Sequence, residues 1–293
     1  MSEHQRANQM TGLLGRQAIE QVVDAALAED APFGDLTSQT LVPADAAATA
    51  HLVAREAGVL AGAEVFELAM TRLDSAVQVI SEAVDGERFE AGDRLATVTG
   101  PARAVLQSER VALNLVQRMS GIATITAEYV AAVAGTSARV VDTRKTMPGL
   151  RALERHAVRC GGGHNHRSSL SEAVMAKDNH LAVLPDVTRA LREAAARLPH
   201  TTHIEVEVDR LDQIEPVLVS GVVGTIMLDN FSTDDLRTGV AQVAGRALVE
   251  ASGGITLETI GDVARTGVDI ISVGALTHGV RSLDVGLDFE VGS

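Results

Sequence analysis

The chain is short of several things that other function classes need. Cys160 is its only cysteine in 293 residues. No intramolecular disulfide can form, which fits a reducing, cytoplasmic setting. A lone thiol beside glycines also lacks the motif of a nucleophile, so Cys160 reads as a small buried residue. Tryptophan is absent, Tyr129 is the one tyrosine, and aromatic residues make up 2% of the chain. That leaves almost no rings on which bases could stack and argues against single-strand nucleic-acid binding. Lys and Arg total 25 against 39 Asp and Glu, a net charge of −14. A protein that binds nucleic acid or anionic membrane over its whole surface is excluded on those terms. No apolar run approaches the roughly 18 residues of a spanning helix. Residues 1–10 are polar, without the apolar core of a signal peptide, and are expected to be disordered. Lysine is the scarcest charged type: Lys145 and Lys177 are the only two. Arginine serves everywhere else, so these two positions call for a compact ammonium rather than a planar guanidinium.

What is present divides into two regions. Residues 17–29 have helical periodicity through Ile19, Val22, Val23, Ala26 and Leu27, and Pro32-Phe33-Gly34-Asp35 breaks it. Residues 49–55, 77–82 and 94–99 read as strands and 63–73 as a helix. Ser108 reads as the N-cap of a helix through Val111 and Leu115. From about residue 137 short β runs alternate with helices. Candidate strands cover 139–142, 157–160, 172–176, 203–208, 225–228, 247–250 and 269–273, with 186–198 the clearest outer helix. Strand-then-helix repetition implies a parallel sheet, and this many units implies an irregular, incomplete (β/α) barrel of about seven strands. No linker, internal repeat or low-complexity segment separates the regions. The expected domains are residues 1–118, an α/β sandwich with the tail 279–293 packed back on it, and residues 119–278, the barrel.

Reacting groups of a β/α barrel sit at the C-terminal ends of its strands. Here those ends carry Thr143-Arg144-Lys145, Gly161-Gly162-Gly163 with His164, His166 and Arg167, and Lys177-Asp178-Asn179-His180. Glu205 and Glu207, Asp229-Asn230, Ser252-Gly253-Gly254 and Gly274-Ala275 follow. Between Arg139 and Lys177 eight basic residues face three acidic ones, a local excess of +5 in an acidic protein. Arg151 and Arg155 can belong to a solvated helix face, but Arg144, Lys145, Arg167 and Lys177 fall at loop positions. A basic pocket in an acidic protein implies a small, highly anionic ligand. The two glycine-containing loops at the end of the barrel suit a phosphate approached by backbone N–H groups.

The loops Thr143-Arg144-Lys145-Thr146-Met147-Pro148-Gly149, Gly161-Gly162-Gly163 with Asn165-His166-Arg167, and Lys177-Asp178-Asn179-His180 resemble the signature loops of quinolinate phosphoribosyltransferases. Further similar segments are Gly34-Asp35-Leu36-Thr37-Ser38, Ser108-Glu109-Arg110 with Leu113-Asn114, and Ser120-Gly121-Ile122-Ala123-Thr124. Glu205-Val206-Glu207-Val208, Leu228-Asp229-Asn230-Phe231 and Ser252-Gly253-Gly254 complete the set, which runs in order from about residue 20 to 280. His164, Ser168 and Ser169 depart from it, being more polar than the aliphatic residues of the family pattern.

The resemblance implies transfer of a phosphoribosyl group from phosphoribosyl pyrophosphate (PRPP) to quinolinate, with loss of pyrophosphate and CO2, giving nicotinate mononucleotide for NAD biosynthesis. It implies that Arg144, Lys145, His166, Arg167 and Lys177 hold the carboxylates and phosphates, with Thr143 and Arg159 as further binding candidates. Glu207 and Asp229 would face the ribose and a Mg2+-bound pyrophosphate. Ser252, Gly253, Gly254, Gly274 and His278 would line the 5-phosphate end. It also implies a homodimer or higher homo-oligomer in which Arg110 reaches a neighbouring subunit's site. Among these, Lys145, Lys177, Glu207 and Asp229 are the expected catalytic residues. No nucleic acid or membrane is expected as a partner. Two other readings remain. One is a related transferase acting on another pyridine acid, such as relatives in molybdenum-linked operons, which would use nicotinate but not quinolinate. The other is a non-catalytic sensor of phosphate ligands, which would bind without releasing pyrophosphate.

Overall fold

The computed structural model describes residues 14–290, so the expectation for residues 1–10 lies outside it. The chain forms two compact units. Within the described residues the first comprises 14–127, 146–162 and 276–290, and the second Glu128–Lys145 and Gly163–Ala275.

In the first unit, α1 (Arg16–Asp30) buries Ile19, Val23 and Leu27, residues four apart on one face. Asp35 caps the short α2 (Leu36–Leu41) by accepting from the N–H groups of Thr37 and Ser38. A four-stranded antiparallel sheet has the order β12-β1-β5-β3, formed by β1 (Ala47–Ala54), β3 (Gln78–Ser81), β5 (Arg94–Pro101) and β12 (Val285–Phe289). The last strand of the chain therefore lies against the first, with Leu52 opposite Leu287. In β1 the buried residues Ala50, Leu52 and Ala54 alternate with more exposed ones, the period of a half-buried strand. β2 (Gly58–Val59) and β4 (Arg88–Phe89) pair separately. The N-terminus of α3 (Ala63–Thr71) is capped by Asp85, whose carboxylate accepts from the N–H groups of Gly62 and Ala63 at 2.9 Å each.

Two sequence expectations fail in this unit. Ser108 is not an N-cap. It lies inside α4 (Ala102–Ala132), with its hydroxyl buried and without a hydrogen-bond partner. The helix begins at Ala102, straight after β5, because Pro101 closes the strand and Val105, Ala112, Val116 and Met119 continue one buried face. Residues 157–160 are not a strand. They are the second half of α5 (Arg151–Cys160), which buries Leu153, Glu154, Ala157, Val158 and Cys160 at helical spacing. The run Ala-Val-Arg-Cys is apolar enough for a strand, but the face extending back to Leu153 makes it a helix, and Gly161 ends it.

The second unit is the barrel. Its strands are β6 (Arg139–Val141), β7 (Val174–Ala176), β8 (Ile204–Val208), β9 (Thr225–Asp229), β10 (Leu248–Ser252) and β11 (Ile270–Ser272). All pairings among them are parallel, in the order β6-β11-β10-β9-β8-β7. Consecutive strands are thus neighbours, and the last, β11, returns to pair with the first, β6. One pairing of a closed ring is missing, that of β6 with β7. A single parallel bridge from Val141 to His164 partly spans it. The barrel is irregular and incomplete, with six strands. Its short helices are α6 (Asp178–Leu181), α8 (Ile214–Leu218), α10 (Ile260–Ala264) and α11 (Ala275–His278, which straddles the unit boundary). The longer ones are α7 (Val187–Arg197) and α9 (Thr233–Val243), capped by Asp186 and Ser232.

Candidate active site

β8 is buried along its whole length, and its sequence Ile-Glu-Val-Glu-Val alternates. A period of two puts Glu205 and Glu207 on one face and the apolar residues on the other. Only a polar barrel interior can take that carboxylate face. Glu207 there meets Lys177, which follows β7, and the two form a salt bridge with the carboxylate side chain 10% exposed and the lysine 44%. The lysine is therefore anchored at its tip yet open to the cavity. Its backbone is held as well, the Lys177 N–H donating to His180 Nδ1 at 3.1 Å.

Around this pair lies a cavity of about 430 Å3, within the range of small-molecule sites. Thr143, Arg144, Lys145, His166, Arg167, Lys177, Glu207, Asp229 and Ser252 line it, together with Met175, Met227 and Ser272. Nine of the site residues expected from sequence thus converge on one space. Gly253 and Gly254 follow Ser252 directly, and Gly274 follows β11. Arg110, Arg159 and His278 belong to the first unit. Arg110 and His278 are exposed.

The first unit holds a larger cavity of about 610 Å3, lined by His51, Glu82, Glu87, Arg88, Asp93, Arg94 and Asp288 among others. Its charges are largely spent on one another: Arg94 pairs with Glu82, His51 with Glu290 and Asp288 with Arg55. The barrel cavity instead has an excess of one sign, with Arg144, Lys145, Arg167 and Lys177 against Glu207 and Asp229. Arg144 is near enough to Arg167 that burial first, and then the Arg144 charge, lower the Arg167 pKa. Packed like charges of this kind favour an anion between them.

Loop geometry fixes the acidic side. Asn230 adopts φ 59°, which asparagine tolerates better than most residues. That turn lets its side chain donate to the Asp229 carboxylate at 2.7 Å, while its N–H donates to the Ser252 carbonyl at 2.9 Å. Gly253, at φ 91°, passes so close that a Cβ there would stand 2.2 Å from Asn230 Oδ1. Glycine is required on both counts. The helices after the two glycine loops, α10 and α11, are five and four residues long. Any phosphate here would rely on loop N–H groups more than on a helix dipole.

Several polar residues of the barrel were not singled out from sequence. Asp142 is fully buried at the end of β6. It accepts from Asn165 Nδ2 at 2.6 Å and from the His166 N–H at 2.7 Å. Both ring nitrogens of His166 are engaged: Nε2 lies 3.1 Å from Glu205, and Nδ1 accepts the Arg167 N–H at 2.7 Å. Burial pushes the His166 pKa down, but the Glu205 hydrogen bond and the Glu250, Glu205 and Asp142 charges outweigh it and the net shift is up. The alternation of β8 was a signal for Glu205. Glu250, a single acid in the short strand Leu-Val-Glu-Ala-Ser, gave none.

Comparisons with known proteins agree with this arrangement. The C-terminal domain model of quinolinate phosphoribosyl transferase matches residues 122–288, and the N-terminal domain model matches 35–120. A nicotinate-nucleotide pyrophosphorylase [carboxylating] of Mycobacterium leprae is 45% identical over 277 residues, 92% of this chain and 97% of the relative. A probable enzyme of the same name from Bacillus subtilis is 42% identical, covering 89% of each chain. Among solved structures, NadC from Streptococcus pyogenes superposes with a TM-score of 0.90 at 40% identity, covering 95% of this chain and 99% of that one. Matches to both domain models, over the loops that line the cavity, place this chain in the quinolinate phosphoribosyltransferase family.

Proposed function

We infer that this chain transfers the phosphoribosyl group of PRPP to quinolinate, releasing pyrophosphate and CO2 and yielding nicotinate mononucleotide, a step of NAD biosynthesis. The observation that carries the reading is the meeting of Arg144, Lys145, Arg167 and Lys177 with Glu207 and Asp229 around one cavity of an acidic protein. PRPP brings a 5-phosphate and a pyrophosphate, and quinolinate brings two carboxylates. Only a site with several fixed cations can hold that much negative charge together.

In this reading Arg144, Lys145, Arg167 and Lys177, with His166 and Thr143, bind the carboxylates and phosphates. Arg159 is a further candidate. Ser252, Gly253, Gly254, Gly274 and His278 receive the 5-phosphate. The bond from the anomeric carbon to the pyrophosphate oxygen breaks as the pyridine nitrogen closes on that carbon. Glu207 and Asp229 stabilise the positive charge that develops on the ribose. The ring nitrogen becomes cationic and draws in the electron pair left when the adjacent carboxylate departs as CO2. A proton then replaces it on the ring carbon. No covalent enzyme intermediate is required.

Glu207 and Asp229 supply hard carboxylate oxygens, a donor type that suits Mg2+. Each already has a protein partner, Lys177 and Asn230, so the fit is to an ion held mainly through the pyrophosphate. Such an ion would neutralise the departing pyrophosphate. The homodimer, with Arg110 completing a neighbour's site, and the cytoplasmic setting are part of the same proposal. Among the described residues no helix is long and apolar enough to cross a membrane.

Purified protein mixed with Mg2+, PRPP and quinolinate should form nicotinate mononucleotide and pyrophosphate in equal amounts, and excess EDTA should stop it. Product from nicotinate but none from quinolinate would favour the other pyridine-acid reading. Full turnover in EDTA would remove the divalent ion from the scheme.

A further inference from the structure

Two buried carboxylates beneath the cavity have no part in the transfer as described. Glu205 on β8 and Glu250 on β10 have side chains 5% and 1% exposed. Each brings one oxygen to the same atom, His166 Nε2, at 3.1 Å and 3.6 Å. The other oxygen of Glu205 is buried without a hydrogen-bond partner, and the Ser272 hydroxyl is a polar neighbour of Glu250. The ligating atoms of all three side chains lie within 4.8 Å of one another. Placing two carboxylates this close in a dry interior is costly, and apolar side chains would fill the same volume with less strain. β6, β8 and β10 alternate around the barrel, and alternate strands fill the same interior layers. Asp142, Glu205 and Glu250 come from these three strand positions, and His166 stands among them.

The ring they enclose is fixed on both sides. Its Nδ1 accepts the Arg167 N–H at 2.7 Å, which leaves the ring proton on Nε2, facing the carboxylates. The backbone of His166 is tied to Asp142 at 2.7 Å. The next residue, Arg167, sends its guanidinium to the cavity wall, where it also donates to the Ala173 carbonyl at 2.9 Å. Orientation of the imidazole and of the Arg167 backbone are thus one problem, and the carboxylate pair solves it from below.

We propose that Glu205 and Glu250 are positioning residues for the transfer: from two strands they clamp the His166 imidazole, and through it the backbone that aims Arg167 into the cavity. The inference rests on the proposed function and adds to it that His166 and Arg167 face the carboxylates of the acceptor. Loosening the clamp therefore weakens the acceptor more than the donor. Neither carboxylate is among the cavity-lining residues, and Glu250 is the better test position because it is the more deeply buried of the two, 1% exposed against 5%.

The experiment measures initial rates with quinolinate and PRPP varied separately, for the wild type, Glu250→Ala, Glu250→Leu and Glu250→Gln. Glu250→Ala should raise KM for quinolinate by about tenfold or more while KM for PRPP stays within about twofold. Glu250→Leu fills the volume without polar atoms and should show the same split, which covers the case of an alanine variant that does not fold. Glu250→Gln keeps the shape and a hydrogen-bonding end, and should return the quinolinate KM to within about threefold of the wild type. A folded Glu250→Leu protein with unchanged constants, an equal rise in both KM values, or no rescue by glutamine would each overturn the clamp. A wild type inert towards quinolinate would instead remove the reading beneath it, a result separable from all of these.

Discussion

Lys145 and Lys177 show how one residue type can mark a site. In a chain that uses arginine for nearly every positive charge, its two lysines both line the barrel cavity. Lys177 is tied to Glu207, a contact that a compact ammonium makes without filling the space a substrate needs. Replacing either lysine by alanine should cut turnover by at least about 100-fold with the fold intact, the loss expected for one charged transition-state contact. Near-normal turnover with an unchanged melting temperature would take that lysine out of the site. Glu250 makes a prediction of another kind. Burial above all, then the Glu205 charge, raises its pKa from 4.5 to about 7, against the opposing His166 charge, with Glu207 adding to the rise. A carboxyl whose pKa is raised by folding favours the folded state in its neutral form. That contribution is complete below the ordinary carboxyl pKa and is lost as pH rises through about 7. Glu250→Gln is neutral at every pH. Its melting temperature should therefore gain on the wild type between pH 5 and pH 8, by the equivalent of at most a few kcal/mol. Parallel melting curves across that range would mean that Glu250 does not carry the proton.

At the level of elements, the sequence was legible where a face repeats and misleading where it stops. β8 alternates glutamate with aliphatic residues and β9 is a short apolar run ending in Asp229, and both are strands as expected. The run 157–160 was misread because four residues cannot distinguish a buried strand from the end of a helix. The buried face of α5 starts earlier, and one of its members is a glutamate. Glu154 is 1% exposed and receives both Nε and a terminal nitrogen of Arg118, at 2.8 Å and 2.6 Å. A buried acid on a core face breaks the apolar pattern that sequence reading follows. Ser108 failed for a similar reason, since a serine within a helix has the same letters as one at its start. Most cavity residues were legible because strand ends and glycine loops mark them. Asp142, Asn165 and Glu250 were not singled out, because their roles are set by neighbours distant in sequence. The Arg118–Glu154 pair joins α4 to α5, and removing Arg118 alone takes the main ion-pair partner from a buried acid, leaving the Met147 N–H and the Arg151 charge to support it. Arg118→Leu should lower stability by about 3–5 kcal/mol, while the double variant Arg118→Leu with Glu154→Leu should recover most of the loss. Chemical unfolding can measure both. A double variant as unstable as the single one would show that the pair's charge balance is not what matters.

Over the whole molecule, the net charge of −14 and the cationic cavity are complementary facts. A net negative charge disfavours non-specific binding to other polyanions, while Arg144, Lys145, Arg167 and Lys177 gather around one cavity. Arg110 is a proposed site cation that is not among the cavity-lining residues. It is exposed on α4 in the first unit, with Glu109 beside it, whose pKa is raised by burial more than the Arg110 charge lowers it. An exposed helix arginine can be a plain surface charge, or it can be the cation that one subunit lends to another. Mixed oligomers distinguish the two. Arg110→Ala and Lys177→Ala, each inactive alone, are co-expressed so that subunits pair at random. In a dimer about half the molecules are then heterodimers. If Arg110 serves the neighbour's site, each heterodimer has one site with both lesions and one with neither, and about a quarter of normal activity should return. If Arg110 serves its own subunit, every site keeps one lesion and the mixture stays inactive. Tag pull-down establishes that heterodimers have formed, so an inactive mixture that contains them would rule out the shared site.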